Sequence, residues 1–325
     1  MKNLINKFLF ATFFFLLLGF SHAKAELQVV TSIKPIHSLA SLLMDGIGTP
    51  KLIVDGSNSP HNFTLKPSHA KMLQNADLVF WVGEDIETFL EKPLGTVAKK
   101  AKKIELMEIS QIKKLKFREK NIFEGHHDDH GHKKHDDHGH KKHDDHGHKK
   151  HDDHGHAHGE HDPHIWLDPL NAKVILTVMA KNMKMMDKKN SAKYDANLKK
   201  VNAKIDGLVS EINKDINKNA KYVVFHDAYQ YFEKRFGLKT LGALTVNTDV
   251  LPGAEQLKDI RKVIKKENAK CIFSEPQFNP KIIKAIAKDT NIKTGVLDPL
   301  GADLKNNKDL YFKLLNNLSN SLRKC

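Results

Sequence analysis

The sequence predicts an α/β protein of two lobes, each a parallel sheet flanked by helices, joined by one long rigid helix, with a metal site in the cleft between the lobes. Three observations carry this prediction. Short β-branched and apolar runs alternate with helical stretches in both halves of the chain, the pattern of parallel sheets. Between the halves, Leu198, Val201, Ile205, Leu208, Ile212 and Ile216 advance by three or four residues, which marks one face of a long amphipathic helix. Histidine is also concentrated: sixteen of the 21 lie between residues 126 and 168, a density that points to metal binding.

The first residues are not fold. Lys2 and Lys7 precede an apolar run over 8–20, and Ala23 and Ala25 follow it, which reads as a secretory signal peptide over 1–25. The apolar run is short of the roughly 20 residues a spanning helix needs. The mature chain is therefore expected in the periplasm of a Gram-negative cell, with no stable membrane anchor. The two cysteines, Cys271 and Cys325, form an even pair, and in an exported chain that suggests one disulfide, with two unpaired thiols as the alternative.

The N-terminal lobe is expected over 26–188. Its buried strand 27–33 leads into a helix that Pro35 can start. A strand at 51–54 ends in the turn-rich run 55–61, and Pro67 opens a helix to about 75. A strand over 76–82, a short helix over 85–91 and a weaker strand at 103–109 complete the lobe's sheet. Residues 119–160 are polar and repetitive, built on HDDHGHKK, and are expected to be a disordered surface loop without metal. From Pro169 the pattern turns helical, with an interruption near 187–191, and the linking helix is placed over 189–219.

The C-terminal lobe, 220–325, repeats the alternation. Strands are expected at 222–225, 239–246, 271–274 and 293–297. Helices are expected between them and over 308–322.

The net charge is +14, and the histidine-rich stretch 126–164 contributes −4 of it, so the remainder is strongly basic. Its lysines are scattered along helical stretches and are not interleaved with aromatics. Solvated helix faces account for them, and no nucleic-acid partner is expected.

In open α/β sheets ligands bind beyond the carboxyl ends of strands. His61, His226 and Asp298 each follow a predicted strand, and His164 sits where the polar tract gives way to an ordered helix start. Three imidazoles and one carboxylate from four segments suit a tetrahedral zinc ion. Each also has a purely structural reading: a turn residue for His61, a local hydrogen bond for His226, a turn cap for Asp298. His37 and His69 are read as structural.

Five ordered motifs sharpen this: GSNSPHNFTLKPS at 56–68, DPHIWLDP at 162–169, FHDAY at 225–229, SEPQ at 274–277 and LDPLG at 297–301. Together they resemble the ZnuA-type zinc-binding proteins of ABC transporters, over essentially all of 27–325. The resemblance implies that His61, His164 and His226 bind Zn²⁺, and that Cys271 pairs with Cys325. It implies no ligand role for Glu275. Some zinc members carry a Glu just before the first histidine, but Pro60 stands there, so Asp298 or a water is expected to fill the fourth position. Relatives that carry manganese or iron tend to have a carboxylate in place of the third histidine, and this chain keeps His226.

The expected function is capture of Zn²⁺ and its delivery to an inner-membrane ABC permease by a monomeric, non-enzymatic binding protein. The alternatives are a manganese or iron carrier of the same family, a zinc buffer built on the repeats, and a zinc hydrolase. Against the last, the chain has no HExxH motif and no evident general base.

Overall fold

Among the described residues, eight short strands form two separate parallel sheets. The first has the order β2-β1-β3-β4, from Val29–Ile33 (β1), Lys51–Val54 (β2), Leu78–Trp81 (β3) and Lys102–Glu105 (β4). The second has the order β6-β5-β7-β8, from Tyr222–His226 (β5), Gly242–Thr245 (β6), Cys271–Ser274 (β7) and Lys293–Val296 (β8). The computed structural model describes residues 26–118, 159–245, 248 and 252–325. The expected signal segment 1–25 and the histidine repeats at 126–158 lie outside these residues.

Nine helices among the described residues flank and join the sheets: α1 Lys34–Leu43, α2 Pro67–Gln74, α3 Thr88–Thr96, α4 Pro169–Met186, α5 Ser191–Asp215, α6 Gln230–Phe236, α7 Ala254–Lys266, α8 Lys281–Thr290 and α9 Leu310–Arg323. The expected break near 187–191 is a single 3-10 turn, Lys188–Asn190, between α4 and the long α5. Helix α3 starts later than the expected 85–91. The chain after β3 first makes a turn in which Glu87 Oε2 accepts the N–H groups of Val82 (2.7 Å) and Gly83 (3.4 Å). Strand β4 runs over Lys102–Glu105, shorter than the expected 103–109, although the N–H groups of Leu106 and Met107 still donate to the carbonyls of Trp81 and Val82 at 2.9 Å, and β6 begins at Gly242, later than the expected 239.

Period-two alternation in β5 divides two cores. Val223 and Phe225 face a small cluster with Leu244, Ile260, Ile264, Ile272, Ile283 and Ile286 under α7 and α8. Tyr222 and Val224 face the other way, into the main core. That core is continuous from Val29 and Ile33 in the first sheet through Trp166 and Tyr194 to Leu315 and Leu318 of α9. Helix α9, expected with the C-terminal lobe, packs against α1 and α5 of the first half. Its end is tied back to β7 by the Cys271–Cys325 disulfide, the pairing implied by the sequence.

Both sheets have the same topology, with the order in which strands are added switching from one side to the other at β1 in one and β5 in the other. Such switch points open a crevice at the strands' carboxyl ends. The two crevices face a common cleft, and it is there that the histidines meet.

Candidate metal centre

His226 is the last residue of β5, the inner strand at the switch point of the second sheet. His164 precedes a 3-10 turn, Ile165–Leu167, that leads into α4. His61 lies in the turn-rich loop after β2, where its N–H donates to Ser59 Oγ at 3.3 Å. These residues are separated by 103 and 62 positions in the chain, yet their ligand nitrogens all lie within 4.8 Å of one another. His164 and His226 are buried, and His61 is half-exposed.

The two buried rings are each held from behind by a carboxylate. Asp162 Oδ1 accepts from His164 Nδ1 at 2.7 Å and also from the His164 backbone N–H at 2.9 Å. Glu275 Oε1 accepts from His226 Nδ1 at 2.7 Å. A proton held on Nδ1 leaves the Nε2 lone pair free to bind a metal, and a carboxylate behind the ring makes that lone pair more basic. The two Nε2 atoms are 3.3 Å apart. Two bare lone pairs at that distance repel, so the pair needs either a proton or a metal ion between them. Two nitrogens on a tetrahedral zinc with bonds of about 2.0–2.1 Å would stand roughly 3.3 Å apart, the same spacing.

Electrostatics agree with a cation site. Burial holds His164 well below the ordinary imidazole range, with the nearby His226 adding to the effect, so this ring stays neutral. Burial also acts to lower His226, but the Glu275 carboxylate outweighs it and the net direction is up. Burial raises the Asp162 carboxyl to about 7. Protons and metal therefore compete for one pocket.

The surrounding wall is largely apolar. Trp166 packs on His164 with ring centroids 5.3 Å apart, and Phe278 meets His226 edge-on at 5.9 Å. Ile86, Pro299 and Leu300 also line the cavity. Its volume is about 10 Å³, room for one ion or water and for no organic ligand.

Asp298 does not join the three histidines. Its Oδ1 accepts from the N–H groups of Leu300 (3.0 Å) and Gly301 (2.9 Å), and from Gln277 Nε2 (2.9 Å). Its Oδ2 accepts from the N–H of Ala302 at 2.6 Å. The carboxylate caps a turn whose third residue past it, Gly301, has φ +74°, a left-handed conformation that suits glycine. His37 and His69 fill the structural roles expected of them: His37 Nε2 bonds the carbonyl of Pro50 at 3.1 Å, and His69 Nδ1 accepts the Lys66 N–H at 3.1 Å. Sequence reasoning did not assign the orienting roles of Asp162 and Glu275. Asp162, two residues before His164 across a proline, was the available signal for one of them. For Glu275, only its place past the end of β7 pointed to the cleft.

Residues 29–325 match the profile of the family described as "ZnuA: Zinc-uptake complex component A periplasmic". The chain belongs to the ZnuA family. The high-affinity zinc uptake system protein ZnuA of Brucella abortus (strain 2308) is 46% identical over 333 residues, covering 100% of this chain and 99% of that one. The ZnuA protein of Yersinia pestis is 37% identical over 311 residues, covering 93% and 92%. Among solved structures, one described as "Crystal structure of ZnuA" superposes with a TM-score of 0.71 at 23% identity, covering 91% of this chain and 99% of that chain, a likeness in fold. The chain has two parallel four-stranded sheets, with the long helix α5 between them in sequence. No helix among the described residues of this ZnuA family member is long and apolar enough to cross a membrane.

Proposed function

We propose that this protein captures Zn²⁺ in the periplasm through His61, His164 and His226 and delivers it to an inner-membrane ABC permease. It acts as a monomer, after removal of residues 1–25, with no membrane anchor of its own. The observation that carries the reading is the convergence of three imidazoles, two of them buried and each backed by a carboxylate, on a cavity sized for one ion. Imidazole donors favour zinc over manganese, which suits oxygen. Full-length relatives named for high-affinity zinc uptake support the same cargo. The half-exposed His61 is the ligand that solvent reaches, so the ion enters and leaves past its loop. The repeats at 126–158 serve as a low-affinity antenna that raises local zinc beside the cleft.

Elemental analysis of the mature protein, with and without residues 126–158, tests the reading. The deletion variant is expected to retain one zinc per chain after dialysis, and His226→Ala in that background is expected to lose it. A deletion variant holding no zinc would assign metal binding to the repeats and make this a buffer protein.

A further inference from the structure

Three imidazoles leave one side of a tetrahedral ion open, and two residues of the cavity lining, Gln277 and Glu275, each carry a buried oxygen without a hydrogen-bond partner among the described residues. Gln277 lies in the turn after β7 and lines the cavity with the three histidines. Its Nε2 donates to Asp298 Oδ1 at 2.9 Å. A carboxylate that already collects three backbone N–H groups is an acceptor, so this contact fixes which end of the amide faces it. The other end, Oε1, is then turned away from Asp298. It is buried and has no hydrogen-bond partner among the described residues. A buried amide oxygen without a partner is costly in a folded protein, by about 1–3 kcal/mol, and calls for a ligand.

The rival side chains are held by other contacts. Both Asp298 oxygens cap the 298–302 turn. Glu275 Oε2 is unpartnered too, but its carboxylate is fixed by Oε1 on Nδ1 of His226, the ring nitrogen other than the Nε2 that faces His164. Pro60, before His61, has no side-chain donor.

We propose that Gln277 Oε1 supplies the fourth donor to the bound ion, and that Asp298 is the positioning residue that aims it. The inference rests on His61, His164 and His226 holding the ion. A neutral amide oxygen completes the site without adding negative charge. Such a donor keeps the site selective for a borderline ion over manganese, because hard oxygen-loving ions gain most from a carboxylate. It is also easily displaced, which suits a protein that must give its cargo up.

The test uses the full mature chain and reads the first equivalent of metal. Zinc affinity is measured by competition with a chromophoric chelator, and the coordination sphere by the d–d absorption of bound Co²⁺. Gln277→Leu and Gln277→Met are expected to weaken zinc about 10–100-fold and to shift the Co²⁺ bands. The thermal midpoint of either variant without metal is expected to equal or exceed the parent's, since a buried unpartnered oxygen is gone. Asp298→Asn keeps an acceptor for Gln277 and is expected to cost less affinity with little change in the Co²⁺ bands. Parent-like affinity and spectrum in both Gln277 variants would overturn the inference. So would a band shift in Asp298→Asn larger than in Gln277→Leu, which would make Asp298 the donor. His226→Ala separates the two levels: if it too binds like the parent, the three-histidine reading has failed, and if it alone loses zinc, only the role of Gln277 has.

Discussion

Each buried imidazole in the cleft is steered by an acid on its far nitrogen, Asp162 for His164 and Glu275 for His226. The histidines themselves were legible in the sequence because strand ends and a composition break locate them. Their partners were not, because the side of a ring that meets a carboxylate is decided by how β5 and β7 stand in the sheet. Asp298 shows the converse: its place after β8 made it a fair ligand candidate, but the N–H groups of its own turn take it. A different buried acid gives a prediction at this scale. Glu87 is fully buried, and burial raises its carboxyl to about 7. The folded state thus holds a proton that the unfolded chain, with a value near 4.5, gives up at lower pH. Stability from this group is fully present below about 4.5 and is lost as pH rises to about 7, by on the order of 3 kcal/mol. Glu105 shifts in the same direction, so the parent slope has more than one source. Glu87→Gln keeps an acceptor for the N–H groups of Val82 and Gly83 without the charge. Its urea stability should exceed the parent's at pH 8 and converge on it at pH 4.5. Equal pH dependence in the two proteins would show that Glu87 stays ionised.

At the scale of elements, the alternation of strands and helices was readable because buried parallel strands are continuous apolar runs. The role of α9 was not. Its amphipathic pattern shows that one face is buried, but not which lobe covers it. In the structure it crosses to α1 and α5, and the segment before it is stitched to the first half. Lys34 at the start of α1 donates to the carbonyls of Ala302 (2.7 Å) and Leu304 (2.9 Å). Trp166 Nε1 donates to the carbonyl of Pro299 at 2.8 Å, and Tyr311 Oη donates to the carbonyl of Trp166 at 2.8 Å. These last two bonds connect α9, the 3-10 turn after His164 and the turn that Asp298 caps. Tyr311 is wholly buried, so Tyr311→Phe leaves the Trp166 carbonyl short of a donor in a dry place. The variant should lose about 1–2 kcal/mol of stability, seen as a lower urea midpoint with an unchanged slope. A loss below a few tenths of a kcal/mol would mean that water replaces the hydroxyl.

For the molecule as a whole, one core running through both halves argues against a wide hinge. Opening the cleft broadly would expose the apolar surface shared by α1, α5 and α9, at about 25 cal/mol per Å². On the proposed function, zinc exchange would run through local movement of the loop that carries His61. The disulfide works on this same architecture from the far side of the second sheet. It joins β7 to the last residue across a separation of 54 positions, a segment holding α8, β8 and α9. Closing a loop of that length constrains the unfolded chain by about 4 kcal/mol in the chain-entropy picture. Replacing Cys271 and Cys325 together by Ser should lower the free energy of urea unfolding by up to that amount. Zinc affinity should change by no more than a few-fold, because neither cysteine lines the cavity and the three histidines are positioned by β5, the 164–167 turn and the loop after β2. A large loss of affinity with little loss of stability would reverse this assignment. It would show that the C-terminal tie acts on the cleft geometry, through β7 and the turn bearing Glu275 and Gln277, and not on the unfolded chain.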